Sequence, residues 1–173
     1  LGEVTLTYEE MATLLTQVEA CLNSRPLLPL SDDPEDLSAL TPGHFLIGAA
    51  ITAVPELSLA EEAPSRLSRW QVIQQTKDHF WVRWSREYLH TLAHRPKWSK
   101  ACQEARVGRL CLVRSEVTPP TKWPLGRITK LYPGADDHVR VVEVRTASKV
   151  LKRPVSKLVF LPDGDEPARE NQN

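Results

Sequence analysis

Apolar residues recur at the 3.6-residue period of a helix at Met11, Leu14, Leu15, Val18, Cys21 and Leu22. Thr7 stands where a hydroxyl caps such a helix, and Glu10 completes a capping box. Leu6 and Met11 are placed to form a hydrophobic staple. Asn23-Ser24-Arg25-Pro26 ends the element, because Pro26 biases Arg25 away from helical geometry. Residues 26–40, rich in Pro, Asp and Ser, predict a loop. Thr41-Pro42 restarts a helix, His44-Phe45-Leu46-Ile47 gives it an apolar body, and Gly48 is placed as a left-handed stop. A second loop carries Pro55, Glu61, Glu62 and Pro64. Nothing breaks a helix from Ser65 to Arg95. Leu67, Trp70, Ile73, Phe80, Trp84, Tyr88 and Leu92 mark one face, with Trp81 beside them. His79, Arg83, Arg86, His90 and His94 fall roughly opposite. Thirty such residues would span about 45 Å, enough to connect two lobes or to pack across both. Pro96 stops the helix, and the basic stretch Lys97-Trp98-Ser99-Lys100 follows.

After about residue 105 the period changes from 3.6 to 2. Val107–Arg114 alternates as a strand, a loop with Pro119-Pro120 leads to Trp123-Pro124, and Gly126–Tyr132 forms the next strand. Pro133–Asp137 turns the chain into Val139–Arg145, where the Val141-Val142 pair breaks the alternation and suggests a bulge. Ala147-Ser148-Lys149 turns it again into Val150–Arg153, and Leu158–Leu161 is a last short strand. Four or five short strands joined by tight turns predict a small barrel of the SH3 kind, with Ile128, Val142 or Val144, and Leu158 inside. The fold class expected is α+β, a helical half followed by this barrel. The expected divisions are residues 1–64, the helices and loops of the head; 65–104, the long connecting helix; 105–162, the barrel; and 163–173, a disordered acidic tail.

Composition narrows the function classes. The 173 residues, 41% hydrophobic and 25% charged, suit a soluble folded protein. No apolar run approaches a membrane span, and no signal peptide is recognisable, so an intracellular place, nucleus or cytoplasm, is expected. A chain opening on Leu1 reads as a piece of a longer product. Cys21, Cys102 and Cys111 are odd in number and without a C-x-x-C pair, which suggests buried thiols and neither disulfides nor zinc. The net charge is zero, yet residues 1–64 hold eleven acidic residues against one basic, a net of −10. Residues 65–162 hold twenty basic against seven acidic, +13, and residues 163–173 one against four, −3. Blocks of this size set long-range fields, and the basic block calls for a polyanion partner.

The catalytic motifs that leave a sequence signature are missing. Asp32-Asp33 and Glu35-Asp36 resemble a carboxylate cluster for Mg²⁺, but acidic runs in a proline-flanked loop are usually solvated. His90 and His94 have the i, i+4 spacing of two metal ligands, without a third and beside arginines. Cys102 and Cys111 lack a neighbouring His or Asp in sequence. The barrel is more informative. Arg109, Arg114, Arg127, Lys130, Arg140, Arg145, Lys152 and Arg153 lie on its strands, and Lys122, Lys149 and Lys157 in its connections. Because the interior of a small barrel takes apolar side chains, these charges are expected to point outward. Trp123 and Tyr132 add flat surfaces among them, the combination that tracks a phosphate backbone and stacks on bases. The plainer alternative is a charged surface kept for solubility, with Trp123 in the core; such a surface normally mixes both signs.

Leu40-Thr-Pro-Gly-His-Phe-Leu-Ile-Gly48 resembles the S/T-P-x-x-x-L-x-G segment near the end of retroelement integrase cores, behind a helix ending Asn23–Leu27. Leu67–Gln71, Phe80–Leu89, Lys122–Arg127, Val139–Thr146 and Lys152–Leu158 extend the likeness. Together, over residues 5–162, they are similar to the integrase end of BEL/Pao-type retrotransposon polyproteins, including its uncharacterised C-terminal domain. The resemblance implies an RNase H-like core upstream, whose two Asp and one Glu bind divalent metal. No acid of this chain matches those positions, so no catalytic residue and no cofactor carry over; Mg²⁺ would belong to the upstream core. It further implies a non-catalytic C-terminal fragment that binds DNA, in company with other integrase subunits and without a membrane. Two alternatives stay open. One is a protein-interaction module reading a chromatin tail, with Trp123, Tyr132 and Phe160 as an aromatic cage. The other is an inactive relic whose acidic head folds back on the basic half.

Overall fold

The structure, a computed structural model, describes residues 5–53, 56, 58–59, 61–63, 67–92, 105–114 and 118–162. Its elements run α1 (Tyr8–Asn23), β1 (Leu28–Pro29), β2 (Ala39–Leu40), α2 (Pro42–Ile47), α3 (Arg69–Leu92) and β3 (Leu110–Val113). β4 (Leu125–Pro133), β5 (Val139–Thr146), β6 (Val150–Pro154) and β7 (Leu158–Phe160) follow. The fold is α+β. The chain forms two compact units: a helical one of Leu1–Arg25, Pro42–Thr91 and Val117–Lys122, and a sheet one of Pro26–Thr41, Leu92–Glu116 and Trp123–Asn173.

In the helical unit, α1 starts as its sequence predicts. The Thr7 hydroxyl accepts from the Glu10 N–H at 3.3 Å, and the Glu10 carboxylate accepts from the Thr7 N–H at 2.8 Å. The buried stripe is narrower than the apolar pattern: Leu14 and Cys21 are buried, whereas Met11 and Leu15 are exposed. α2 ends at Gly48 with φ +75°, the left-handed stop expected there. Its apolar body lies open, Phe45, Leu46 and Ile47 being 74%, 62% and 66% exposed.

The long helix is shorter than the pattern allows. α3 begins at Arg69 because Ser68 caps it: the Gln71 side chain accepts from the Ser68 N–H at 2.9 Å, and the Ser68 hydroxyl from the Gln71 N–H at 3.4 Å. Residues 93–95 and the stretch 97–100 lie outside the described residues. Its buried side is also displaced from the expected stripe. Ile73, Gln74, Gln75, Asp78 and Trp81 are buried, while Trp70 is 52% exposed and Phe80, Trp84 and Tyr88 are half-buried in a stacked ladder. Polar residues line this side because they bond a loop rather than a core. Asp78 accepts from the Leu59 N–H at 3.3 Å, and Gln75 donates to the carbonyls of Leu59 and Glu62 at 2.8 and 2.7 Å. Trp81 donates its indole N–H to the Thr118 carbonyl at 2.6 Å, which satisfies the ring's one polar atom inside the unit.

In the sheet unit five antiparallel strands take the order β6-β5-β4-β3-β7, with a 3-10 turn (Val155–Lys157) carrying the chain from β6 to β7. The number of strands is as expected. The barrel is not closed: β6 and β7 are the two edges of an open sheet. Ala105, Cys111, Val113, Ile128, Val142, Val144, Val155 and Leu158 form the core on one face. The irregularity lies elsewhere than Val141-Val142. Thr129 is the extra residue on β4, where Ile128 faces Val144 and Lys130 faces Glu143; a second shift separates Tyr132 from Pro133. The Thr129 bulge lets Ile128 and Leu131 share the core face with Val144 and Val142. Gly126 is required where β4 meets β5, since a Cβ there would lie 2.5 Å from Val144 Cγ1. Residues 26–40, expected as a plain loop, form with Thr41 a strap closed by the two-stranded β1–β2 ladder, Leu28 opposite Leu40.

The α1 cap makes a pH prediction. Hydrogen bonds from Arg69 and from the Thr7 backbone hold the Glu10 carboxyl down at about 2, from a usual 4.5. A depressed folded-state value stabilises above the unfolded value and is lost as pH falls through the folded one. The difference in melting temperature between the wild type and Glu10→Gln is therefore expected to vanish between about pH 4.5 and pH 2. A difference that stays constant across that window contradicts the assignment.

Candidate nucleic-acid interface

Register sorts the basic residues of the sheet. Side chains directly opposite on neighbouring strands share a face, and faces alternate along each strand. Ile128, Val144 and Leu151 form one row on the core face. The next row, on the other face, is Lys130, Glu143 and Lys152. Tyr132 lies two residues on along β4, on the same face as Lys130.

These four side chains, with Thr129, form a connected cluster. The Lys152 ammonium lies 4.0 Å and the Lys130 ammonium 5.3 Å from the centre of the Tyr132 ring. Cation–π contacts of this exposed kind contribute about 0.5–1 kcal/mol each, less than the rotamer entropy of a lysine, so they bias the ammonium groups toward the ring without fixing or neutralising them. Glu143 accepts from the Thr129 hydroxyl at 2.9 Å and from the Tyr132 hydroxyl at 3.2 Å. Desolvation, then the hydrogen bond to Glu143 and its charge, push the Tyr132 hydroxyl above its usual range, which keeps it a donor. Both lysines are exposed. The cluster carries two cations and one carboxylate already engaged by two hydroxyls, a surface suited to an anion.

The remaining expected contacts fall into distinct situations. Arg114 is exposed and close to Lys157, whose carbonyl accepts from the Arg114 N–H at 2.8 Å. Lys149 is exposed in the β5–β6 turn, its backbone bonded to Thr146. Arg153 is half-buried on the core side of β6, donating to the Lys152 carbonyl at 3.2 Å. Arg140 is exposed and forms a two-point pair with Asp136, at 2.8 and 2.5 Å, which drives the Asp136 carboxyl well below the usual range. Arg109 donates to the Leu161 carbonyl at 3.3 Å and lies 4.9 Å over the Phe160 ring. Trp123 is half-buried, and the exposed Lys122 belongs to the helical unit.

Two arginines depart from the expectation that strand charges point outward. Arg127 is only 4% exposed. Its guanidinium donates to the carbonyls of Asp36 at 2.7 and 2.9 Å, Ser31 at 2.9 Å and Gly108 at 2.7 Å. It is withdrawn as a phosphate contact, because its donors face the strap. Arg145, its neighbour across β5, bonds the Glu35 carboxylate and the Pro34 carbonyl. The sequence carries a signal that was misread. Leu110-Cys-Leu-Val113 is apolar on both faces rather than alternating, and all four residues are buried. A strand of that kind has cover on both sides.

The aromatic cage is not assembled. Phe160 faces Cys111 and packs on the core, Tyr132 lies on the opposite face, and each is already beside a cation of its own sheet. Among the described residues no group of three or more His, Cys, Asp or Glu could hold a metal ion. His94 and Cys102 lie outside them. The strap carboxylates bond their own loop: Asp33 accepts from the Glu35 N–H and Asp36 from the Ser38 N–H, both at 2.8 Å. Burial pushes the Cys111 thiol up to about 12 and the Cys21 thiol to about 11, so neither is a nucleophile. No described helix is long and apolar enough to cross a membrane.

Residues 68–161 match a family of unknown function, DUF5641. No curated protein and no solved structure matches the chain.

Arg127→Ala is expected to lower stability by roughly 3 kcal/mol, since four charge-assisted bonds are lost, three carbonyls lose their donor and a buried side chain is truncated. Arg127→Lys is expected to rescue little, because one ammonium cannot span three carbonyl groups. Denaturant unfolding measures both, and wild-type stability in Arg127→Ala would contradict the clamp.

Proposed function

The chain belongs to the family of unknown function DUF5641, and from that premise we propose that it binds the phosphate backbone of nucleic acid through the exposed face of its sheet. The observation that carries the reading is the Lys130–Glu143–Lys152 row with Tyr132, two exposed cations against one carboxylate on one face of the sheet. Arg114, Lys149 and Lys157 add exposed cations in the same unit. The resemblance to the integrase end of BEL/Pao-type polyproteins makes duplex DNA the first partner to test. It gives the chain a supporting, non-catalytic part in DNA integration. The open apolar side chains of α2 suit a helix that belongs to a larger core. No reaction is assigned to the chain, and Mg²⁺ chemistry belongs in this reading to an upstream core.

Phosphate contacts release counterions, so the logarithm of the binding constant falls linearly with that of salt, by about 0.9 per contact. Lys130→Ala and Lys152→Ala are each expected to reduce that slope by about one contact, equally for different sequences. Binding of the full chain to duplexes of two unrelated sequences at several salt concentrations tests this. Salt-independent binding, or slopes unchanged in both variants, would contradict the reading.

A further inference from the structure

The strap of residues 26–41 holds four carboxylates in five residues, Asp32, Asp33, Glu35 and Asp36, and two arginines tie it to the sheet by bonds of different character. At Arg127 it is tied by neutral backbone carbonyls around a buried guanidinium. Those bonds involve no strap charge and are shielded from salt. At Arg145 it is tied by the Pro34 carbonyl and by the Glu35 carboxylate, whose side chain is 78% exposed against 24% for Arg145. The carboxylate half of this tie faces solvent, where an ion pair is screened and weak.

We propose that Glu35 is a built-in competitor for phosphate: Arg127 anchors the strap permanently, and Glu35 occupies Arg145 until a polyanion takes its place. The inference rests on the nucleic-acid reading above. Glu35 meets Arg145 through a single carboxylate oxygen, and a phosphate oxygen is an equivalent acceptor that can take its place while the bond to the Pro34 carbonyl is kept. Arg145 lies two residues along β5 from Glu143, on the same face, about 7 Å from the Lys130–Lys152 row. A strand of phosphates engaging the lysines therefore passes within reach of Arg145. Displacing Glu35 adds one cation to the face, and the anchor at Arg127 keeps the strap from detaching.

The test compares the full wild-type chain with Glu35→Gln, Arg145→Ala and the double variant, binding a short duplex DNA across a salt series. Glu35→Gln is expected to bind about two- to fivefold more tightly at low salt, with nearly the same slope, because phosphate contacts Arg145 in the bound state of both proteins. That gain is expected to be absent when Arg145 is already Ala. Equal affinity in the wild type and Glu35→Gln, with salt-dependent binding in both, overturns the competitor and leaves the nucleic-acid reading standing. A gain that persists on the Arg145→Ala background also overturns it, since Glu35 would then act only through general repulsion. Absence of salt-dependent binding in every variant overturns the reading and the competitor with it.

Discussion

A guanidinium taken out of water needs acceptors for its fork of donors, and the sheet unit is arranged around how Arg127 finds them. The strap supplies the carbonyls of Ser31 and Asp36, and the turn before β3 supplies that of Gly108. Gly108 adopts φ +86°, a conformation that costs a glycine little and turns its carbonyl chain toward the strand. With the strap fixed there, Arg145 meets Glu35, and the buried row of Leu110 and Arg127 is no longer a surface. Removing the Arg127 donors takes their partner from three carbonyls at once, so strap and sheet are coupled through this one buried side chain.

That one interaction divides a basic sheet into parts with different work. Arg127 is structural, Arg145 is held by an acid of the same chain, and Arg140 is paired with Asp136 in a turn. Lys130 and Lys152 flank the Tyr132 ring, stay exposed and share the single carboxylate of Glu143 between them. Formal charge counts all these residues alike, whereas the structure gives each arginine its own acceptors and leaves the two lysines one acid between them.

Local rules were legible in the sequence where the chain solves its problems locally. The Thr7–Glu10 capping box, the Gly48 stop and the change of period near residue 105 depend on neighbours within a few residues, and the structure has them. What the sequence hid depends on partners far along the chain. The Arg127 bonds join residues about ninety positions apart, and nothing near Arg127 distinguishes it from Lys130. The polar burial of Gln74, Gln75 and Asp78 escaped a hydrophobic template because these side chains hold a loop. α3 starts at Arg69 because Ser68 and Gln71 cap each other, a local signal the sequence does carry. Barrel closure was an inference from strand number, and strand number does not settle whether the edge strands meet.

The central claim is that a polyanion meets the Lys130–Lys152 face while Arg127 stays sealed beneath the strap. Nuclear magnetic resonance of the full chain, titrated with duplex DNA, follows both at once through the β4–β6 amides and the arginine side-chain Nε–H groups. The account predicts saturable shifts at Lys130, Glu143 and Lys152 and at the Arg145 Nε–H. The Arg127 Nε–H should stay in place and protected from solvent exchange. Shifts confined to the helical unit, or an Arg127 Nε–H that moves and exchanges as DNA binds, would contradict it.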